Sequence, residues 1–440
     1  MSLIIPWIIP MGPLSMAPYR IVLLVLVAPC LVMWLLGQAG RINVADIGVI
    51  LFCLWAWISV AVNHGFAAAI EPGGIMFVET VGAYLLARCY VRDAESFRNM
   101  THLMAKLIFL LFPFAVYEWI TGSKLILSAF GMFFPTVEVT MNEPRMGFWR
   151  VQGPFAHSIT FGLFCGSMVA LTLFAAGEDR GGGLRRWLTA VVVGTTVLSM
   201  SSAPIAGLVL QGALICWNWL LRQYKNRWKI LWGLLLAGYL AVELGSNQTP
   251  IQFYIHYFTF DKETGWFRLW IWEYGSASVL NHPLFGIGFG DWVRPAWMAP
   301  DSVDNFWLLT AMRYGLPALT FILGSFFWIT LKVAYERTGD EISREYRVAY
   351  LICMTTFFVG GTTVHLWAAP YAWFLYLMGS GVWFFGNRNR DSIAATQSDE
   401  PERRALEKPP WRRGSAAAGA RRQAAQPSRR ARRRHLAPRN

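Results

Sequence analysis

Three arginines in this sequence lie beside aromatic residues, in stretches that separate long apolar runs. Arg145 and Arg150 occur within EPRMGFWRVQGPFAHSITFG, and Arg268 occurs within GWFRLWIW. The guanidinium group is planar, permanently charged and able to make paired hydrogen bonds to phosphate oxygens. Three such groups near one headgroup layer predict a site for a lipid-linked pyrophosphate. Alternatively, each arginine only reaches the membrane interface or lies at a helix end.

A second group of candidate residues lies in the long segment from Gly245 to Asn305, which carries NHPLFGIGFGDW and then SVDNFWLLTAMRYGLP. Asp304 directly precedes Asn305, and a carboxylate can act as a general base. Ser302, Asp304 and Asn305 are also residue types that cap helix N-termini. Asp304 therefore has two interpretations, a catalytic base or a helix cap.

Glycines and histidines complete the candidate site. Gly286 and Gly288 do not follow a predicted strand, as a dinucleotide fingerprint requires. They predict a tight turn that lets the backbone approach a ligand or another loop. His157 and His282 are interpreted either as substrate-binding residues or as structural residues. Other candidates for the base, if the reaction needs one, are Asp291, Asp301 and His157.

The composition indicates an integral membrane protein. Of 440 residues, 55% are hydrophobic and only 15% are charged, whereas soluble domains carry about 25% charged residues. Apolar runs of about twenty residues recur, and each is long enough to cross the hydrocarbon core. We expect an all-α polytopic bundle of eleven spans. Leu3 to Met11 is too short to span and is expected to be a re-entrant or interfacial piece, or half of a twelfth span. The predicted spans lie near 17–36, 44–62, 73–90, 103–120, 159–177, 187–201, 203–221, 230–244, 315–333, 348–364 and 370–386.

The distribution of basic residues predicts the orientation of the spans. Fifteen Lys and Arg residues lie in or beside the short loops of one side, and six lie in the long loops 121–158 and 245–305 of the other. Because short cytoplasmic loops are enriched in Lys and Arg, we expect the two long loops to be periplasmic. Residues 1–386 are predicted to form the membrane domain. Residues 387–440, with fifteen basic and five acidic side chains, predict a disordered cytoplasmic tail that contacts anionic lipids and not nucleic acid.

The sequence contains no pattern typical of a cofactor or metal site. Its six cysteines lie in or next to apolar runs and form no CxxC pair, which argues against a disulfide framework or a zinc site. The long loops lack a compact acidic motif such as DxD. We therefore expect no metal and no cofactor.

NHPLFGIGFG, followed by VDNFWLLTAMRYGLP, resembles the signature of the O-antigen ligase and polymerase family of bacterial inner-membrane glycosyltransferases. That family shows an "hPlfGiG" segment in a large periplasmic loop and then an "HNxyLxxxxexGl" helix. GFWRVQGPFAHSITFG resembles the family's earlier outer-loop segment, and MFVETVGAYLLARCYV is similar to its exopolysaccharide branch. The resemblance covers residues 17–386. One departure is Asp304, where the family often has His.

The resemblance implies glycosyl transfer at the periplasmic face of the bacterial inner membrane. The donor would be an undecaprenyl-pyrophosphate-linked oligosaccharide and the partner a glycan acceptor. Polymerisation of exopolysaccharide or O-antigen repeat units is the favoured reaction, and ligation of glycan to lipid A core is the alternative. Asp304 and Arg268 would be catalytic. The expected substrate-binding residues are Arg145, Arg150, His157, His282, Gly286, Gly288 and Asn305.

Two rival functions come from other classes. A transporter of lipid-linked sugars would place ionisable groups at the bilayer midplane, whereas the predicted span interiors are nearly free of charge. A scaffold protein would tolerate neutral replacement of Arg145, Arg150 and Arg268. The concentration of polar residues in the long loops favours an enzyme over both.

Overall fold

The computed structural model describes residues 1–12, 14–140, 143–175, 182–245, 262–298, 302–336 and 341–386. This part of the chain is largely helical. Eight of its helical segments are long and apolar enough to cross a membrane, which indicates a multi-pass membrane protein. The predicted tail, residues 387–440, lies outside the described residues.

The N-terminal segment is not a membrane helix. A 3₁₀ turn, Ser2–Ile4, is followed by strands β1 (Ile9–Met11) and β2 (Leu14–Met16), which pair antiparallel. Proline lacks the amide proton that a helix needs, and prolines at 6, 10 and 13 explain why this apolar stretch does not become helical. Trp7 Nε1 donates a hydrogen bond to the Phe130 carbonyl at 2.9 Å. The segment therefore packs against the long loop that begins at residue 121, and half of a twelfth span is not present there.

The first half of the chain forms helices that match the predicted apolar runs. In order they are α1 (Pro18–Leu35), α2 (Val44–His64), α3 (Phe66–Phe77), a π-helical segment (Val78–Gly82), α4 (Ala83–Tyr90), α5 (Ala94–Thr121), α6 (Leu125–Gly131), α7 (Ser158–Ala175), α8 (Gly183–Leu198), α9 (Ser202–Leu220) and α10 (Arg227–Gly245). The segment Phe66–Tyr90 runs through α3, the π-helical segment and α4 as one candidate span.

The second half follows the same pattern, with one additional helix inside the long loop. Its helices are α11 (Lys262–Asn281), α12 (Phe306–Tyr335), α13 (Glu341–Gly361), α14 (Ala368–Ser380) and α15 (Trp383–Gly386). Helices occur at all eleven predicted spans. Those at 187–201, 348–364 and 370–386 are not among the eight that meet the length and apolarity of a candidate span.

The core lies where α7, α13 and α14 meet the helices around them. In α7, 83% of the most apolar window is buried inside the protein, and α14 packs so closely on α4 that a Cβ at Gly379 would lie 2.2 Å from the Tyr84 carbonyl oxygen. Helix α10, in contrast, has no buried residue. An apolar helix of this length whose side chains the protein leaves uncovered is suited to face lipid, which indicates that α10 lies at the surface of the bundle.

A buried ion pair joins the start of α2 to the end of α4. Arg88 donates to both carboxylate oxygens of Asp46, from Nε at 3.0 Å and from Nη2 at 2.9 Å. It also donates to the carbonyls of Ala39 and Arg41. Both side chains of the ion pair are buried. The ion pair lies at helix ends, since Asp46 is in the first turn of α2 and Arg88 is in the last turn of α4.

A second ion pair lies at the π-helical segment. Glu79 accepts hydrogen bonds from Arg20 Nε at 2.7 Å and from the Tyr19 hydroxyl. Next to it, the Thr80 and Tyr371 hydroxyls lie 2.7 Å apart. π-Helical turns inside α-helices are often found at functional sites, and here the turn joins α1 and α14 through polar side chains.

Candidate functional site

Helix α12 is broken near its first third. Gly315 has φ 83° and ψ 172°, a conformation open essentially only to glycine, and Pro317 follows two residues later. The break divides α12 into an outer segment, Phe306–Tyr314, and a longer inner segment. We call the end of the bundle that carries His64, Thr121, Ser158 and the outer segment the outer end.

The loop 283–288 satisfies the backbone groups that the break exposes. Its hydrogen bonds run from Ile287 N to Met312 O (2.8 Å), from Gly288 N to Arg313 O (2.9 Å) and from Leu316 N to Pro283 O (2.8 Å). Unpaired backbone groups are costly in a membrane unless neighbouring protein pairs them. The NHPLFGIGFG motif therefore supplies the hydrogen-bond partners that the break in α12 requires.

Gly286 and Gly288 are required by this close approach. Both have positive φ, 59° and 60°. A Cβ at Gly286 would lie 2.4 Å from the Met312 carbonyl oxygen, and a Cβ at Gly288 would lie 2.4 Å from His64 Nε2. Of the two predicted uses of this turn, approach to a ligand or to another part of the chain, the structure shows the second.

The end of α2 fixes the other side of the same loop. Trp55 Nε1 donates to the Leu284 carbonyl at 3.1 Å, and its ring stacks on Phe285 with 5.4 Å between centroids. Asn63 Nδ2 donates to the Phe285 carbonyl at 3.0 Å. His64 Nε2 accepts from the backbone N–H of the residue after Gly288 at 2.8 Å. The loop is therefore held between α2 and α12.

The charge of Arg268 acts on Asp304, the other residue predicted to be catalytic. Helix α11 packs on the outer segment of α12, since a Cβ at Gly275 would lie 2.8 Å from Leu308 Cδ2. Burial raises the pKa of Asp304, and the positive charge of Arg268 opposes that shift. A carboxylate that is partly desolvated and faces an arginine is an arrangement suited to acid–base chemistry.

The helix cap is Asn305 and not Asp304. The Asn305 side chain accepts a hydrogen bond from Leu308 N at 3.0 Å. Within the described residues, no hydrogen bond to the Asp304 carboxylate is present. The capping interpretation therefore belongs to Asn305, which leaves the Asp304 carboxylate available for another role.

The sequence did not select two further residues of this region, Arg313 in the outer segment and His365, whose ring lies near Phe306. Side chains on a helix point back toward its N-terminus, so Arg313 reaches toward the start of the outer segment. Its guanidinium lies 5.5 Å from the Phe289 ring centroid. Burial and the charge of Arg313 lower the pKa of His365 to about 4. Arg313 occurs in an apolar run and His365 in a short loop, so the residues next to them in the sequence do not indicate a binding or catalytic role. Arg313 also occupies the acidic position of the family motif, a second departure from it.

A second group of predicted residues is organised by Glu118 at the end of α5. This buried carboxylate accepts hydrogen bonds from Gln152 N at 2.8 Å and Gly153 N at 3.1 Å. It also accepts from Lys124 Nζ at 2.9 Å. Glu118 therefore fixes the segment that carries Arg150, a role that its position near a span end did not reveal.

Arg145, Arg150 and His157 surround this anchor. Arg145 Nη1 donates to the Met200 carbonyl and Arg150 Nη2 to the Ser201 hydroxyl, each at 3.1 Å. Burial and the neighbouring Arg145 lower the pKa of Arg150 to about 10. Burial, Arg150 and Lys124 lower the pKa of His157 to about 4. His157 is therefore neutral at pH 7, and its Nδ1 accepts from the second N–H of α7 at 3.1 Å.

The remaining candidate residues have few described contacts with the side chains of either group. His282 is exposed at the end of α11, and its carbonyl accepts from Gly286 N at 3.0 Å. Asp291 is exposed and forms an ion pair with Arg294, which lowers its pKa. Asp301 lies outside the described residues. Within those residues, no cluster of three His, Cys, Asp or Glu side chains is placed to hold a metal ion.

The outer end of α13 lies between the two groups. A Cβ at Gly360 would lie 3.6 Å from Leu163 in α7, and one at Gly361 would lie 2.8 Å from Trp307 in α12. The outer end therefore carries two cationic groups, separated by α13.

No family model matches this chain, and no curated protein matches it. The motif resemblance therefore stays a prediction, and the function rests on the geometry of the outer end.

Proposed function

We propose that this protein transfers a glycan from an undecaprenyl-pyrophosphate carrier to an acceptor hydroxyl at the periplasmic face of a bacterial inner membrane. The observation that carries the proposal is the packing of α11 on the outer segment, which places the buried Asp304 within the electrostatic influence of Arg268. A carboxylate and a cation at the end of an apolar bundle suit a reaction between a hydroxyl group and an anionic lipid.

Arg268 and Arg313 would hold the pyrophosphate. Within the described residues, Arg313 forms no ion pair with a carboxylate. The leaving pyrophosphate gains negative charge as the bond to the anomeric carbon breaks. Cations fixed in advance stabilise such charge without rearrangement.

Asp304 would accept the proton of the acceptor hydroxyl. In the proposed step, the hydroxyl oxygen bonds to the anomeric carbon, the lipid pyrophosphate leaves with the electron pair, and the proton passes to the Asp304 carboxylate. Burial raises the pKa of Asp304, which brings the carboxyl closer to the working pH of a general base.

Aromatic side chains near Arg268 would contact the sugars. Trp270, on the same helix, packs edge to face against Trp297 with 4.6 Å between centroids, and both rings are exposed. Exposed aromatic rings can stack on sugar faces, and they also form the aromatic belt of membrane interfaces. We assign this pair to the glycan because Trp270 lies on the helix that carries Arg268.

Polymerisation of exopolysaccharide or O-antigen repeat units is the reaction we favour, and ligation to lipid A core is the alternative. Both use the same donor and differ only in the acceptor. The second cationic group, around Arg145 and Arg150, would face the other substrate in either case.

A transporter of lipid-linked sugars is a second candidate, favoured by one observation. Glu79 pairs with Arg20 at a π-helical segment inside a span, and ionisable groups within spans often mark transport pathways. A transporter would leave its lipid-linked substrate on the cytoplasmic side when inactivated, whereas the enzyme would leave it on the periplasmic side.

The test is complementation of a strain that lacks the protein, with Arg268→Gln and Asp304→Asn at matched membrane abundance. Arg294→Gln is the control, because Arg294 is another arginine of the same loop whose partner is the exposed Asp291. Polymer is measured by gel and carrier-linked glycans by mass spectrometry. We expect Arg268→Gln and Asp304→Asn, but not the control, to lose polymer by a factor of about 100 or more.

The intermediates separate the alternatives. Single repeat units on the carrier support a polymerase, and long chains on the carrier support a ligase. Protection of the carrier-linked glycan from an externally added glycosidase in spheroplasts would support the transporter. Normal polymer from both site variants contradicts the enzymatic proposal.

A further inference from the structure

The loop 362–367 joins α13 to α14 and lies beside the proposed catalytic pair. Phe306 N, the first backbone N–H after the Asn305 cap, donates a hydrogen bond to the Val364 carbonyl at 3.2 Å. This bond ties the loop to the turn that carries Asp304. His365, the next residue of the loop, is therefore held at the start of the outer segment.

Aromatic rings fix the orientation of the His365 imidazole. It lies nearly parallel to Phe306 at 21°, with 6.3 Å between centroids, and to Trp367 at 24°, with 5.5 Å between centroids. A side chain stacked in this way has few rotamers available to it. Its ring nitrogens therefore keep fixed directions, which is the property required of a group that orients a ligand.

The Nδ1 atom of this ring has no hydrogen-bond partner among the described residues, although it is buried. Most buried polar atoms in proteins are hydrogen-bonded, and an exception calls for an explanation. One explanation is a ligand that forms the missing hydrogen bond with Nδ1. The nearby Arg313 and burial keep the ring neutral, so one of its nitrogens always carries a lone pair.

We infer that His365 binds the acceptor glycan, with Nδ1 accepting a hydrogen bond from a sugar hydroxyl next to Asp304. This inference rests on the proposed glycosyl transfer and adds a binding residue for the acceptor. The ligand class is a neutral sugar ring. Asp304 remains the proton acceptor, and His365 orients the sugar whose hydroxyl reacts.

Three substitutions distinguish this role from a structural or proton-accepting one. The amide oxygen of His365→Asn reaches the position of Nδ1, whereas that of His365→Gln extends toward Nε2. His365→Phe keeps the stacked ring and removes both nitrogens. Each variant is expressed at matched abundance in the strain that lacks the protein, which supplies its own lipid-linked glycans, and polymer yield and length are measured.

We expect His365→Asn to keep polymer within about threefold of wild type, and His365→Phe to lose about tenfold or more, as for a lost hydrogen bond to substrate. His365→Gln should resemble His365→Phe. A loss in His365→Asn as large as in His365→Phe overturns the inference in favour of a proton acceptor. Normal polymer from His365→Phe overturns it outright.

The outcome for the proposed function is read separately, from Arg268→Gln and Asp304→Asn in the same strain. If these lose polymer and His365→Phe does not, only the role of His365 is wrong. If none of them changes polymer or carrier-linked glycans, the glycosyl transfer itself is wrong. Thermal unfolding of each purified variant shows whether a loss follows from misfolding, and a misfolded His365→Phe would support a structural role and contradict the inference.

Discussion

Replacing Gly315 with alanine should open the outer end of the protein. The backbone conformation there costs a non-glycine residue about 1–3 kcal/mol. The new Cβ would lie 1.9 Å from the Leu284 carbonyl oxygen and 2.4 Å from its carbon. Because these are backbone atoms already fixed by Trp55, rotation of a side chain cannot relieve the overlap.

The loop 283–288 must therefore move away from α12, and its three hydrogen bonds across the break are lost. Each hydrogen bond contributes a net stability of about 0.5–1.5 kcal/mol. Together with the backbone cost, the free energy of unfolding should fall by about 3–7 kcal/mol. The loss is local to the outer end, since the inner segment of α12 has its own contacts with α2.

Gly324→Ala is the matched control. Gly324 lies in the same helix, and a Cβ there would meet nothing within 4 Å. Alanine has a higher helix propensity than glycine, so this variant should be as stable as wild type or more so. Thermal unfolding of both purified variants in detergent, followed by circular dichroism, makes the comparison. Equal unfolding temperatures for Gly315→Ala and wild type would refute the role assigned to the break.

Two further predictions concern the anchor Glu118 and the titration of Asp304. Glu118→Gln should lower the free energy of unfolding by about 2–3 kcal/mol, because hydrogen bonds to a charged carboxylate contribute more than neutral ones; Glu138→Gln, an exposed carboxylate of the same loop, should change it little. A loss of equal size in both variants would show that Glu118 is not the anchor. Polymer formation in permeabilised cells should fall as the pH decreases, with a midpoint above the usual carboxyl pKa of 3.8, because burial raises the pKa of Asp304 and only its ionised form accepts a proton. The same midpoint in His365→Asn assigns the titration to Asp304, whereas a shifted midpoint would assign it to the histidine.

The helices follow from the sequence because their signal is local. Apolar runs of membrane-spanning length predict spans at 17–36 and 44–62, and α1 and α2 begin and end close to those bounds. Capping residues mark the same limits, as Asn43 does at the start of α2. Each of these signals lies within a few residues of the structure that it predicts.

The site is only partly predictable because its contacts are long-range. The sequence placed Asp304 and Arg268 in one loop, but only the packing of α11 on α12 brings their charges together. The partner of Gly288 is His64, more than 200 positions earlier in the chain. Arg88 and its buried partner Asp46 lie 42 positions apart in the chain. The hydrophobic periodicity of two helices does not reveal an ion pair between them.

The break in α12 creates a short helix that carries two groups of the proposed site, a carboxylate at its start and an arginine at its end. The outer segment has Asp304 and the Asn305 cap before its first turn and Arg313 in its last turn. In a continuous helix, the outer segment would keep the direction of the inner segment. Because Gly315 interrupts the helix, the outer segment instead forms hydrogen bonds with the loop 283–288 on one side and with the loop 362–367 on the other. Fixing a short helix from both sides positions a carboxylate and a cation before any substrate binds, and such preorganisation is what electrostatic catalysis requires.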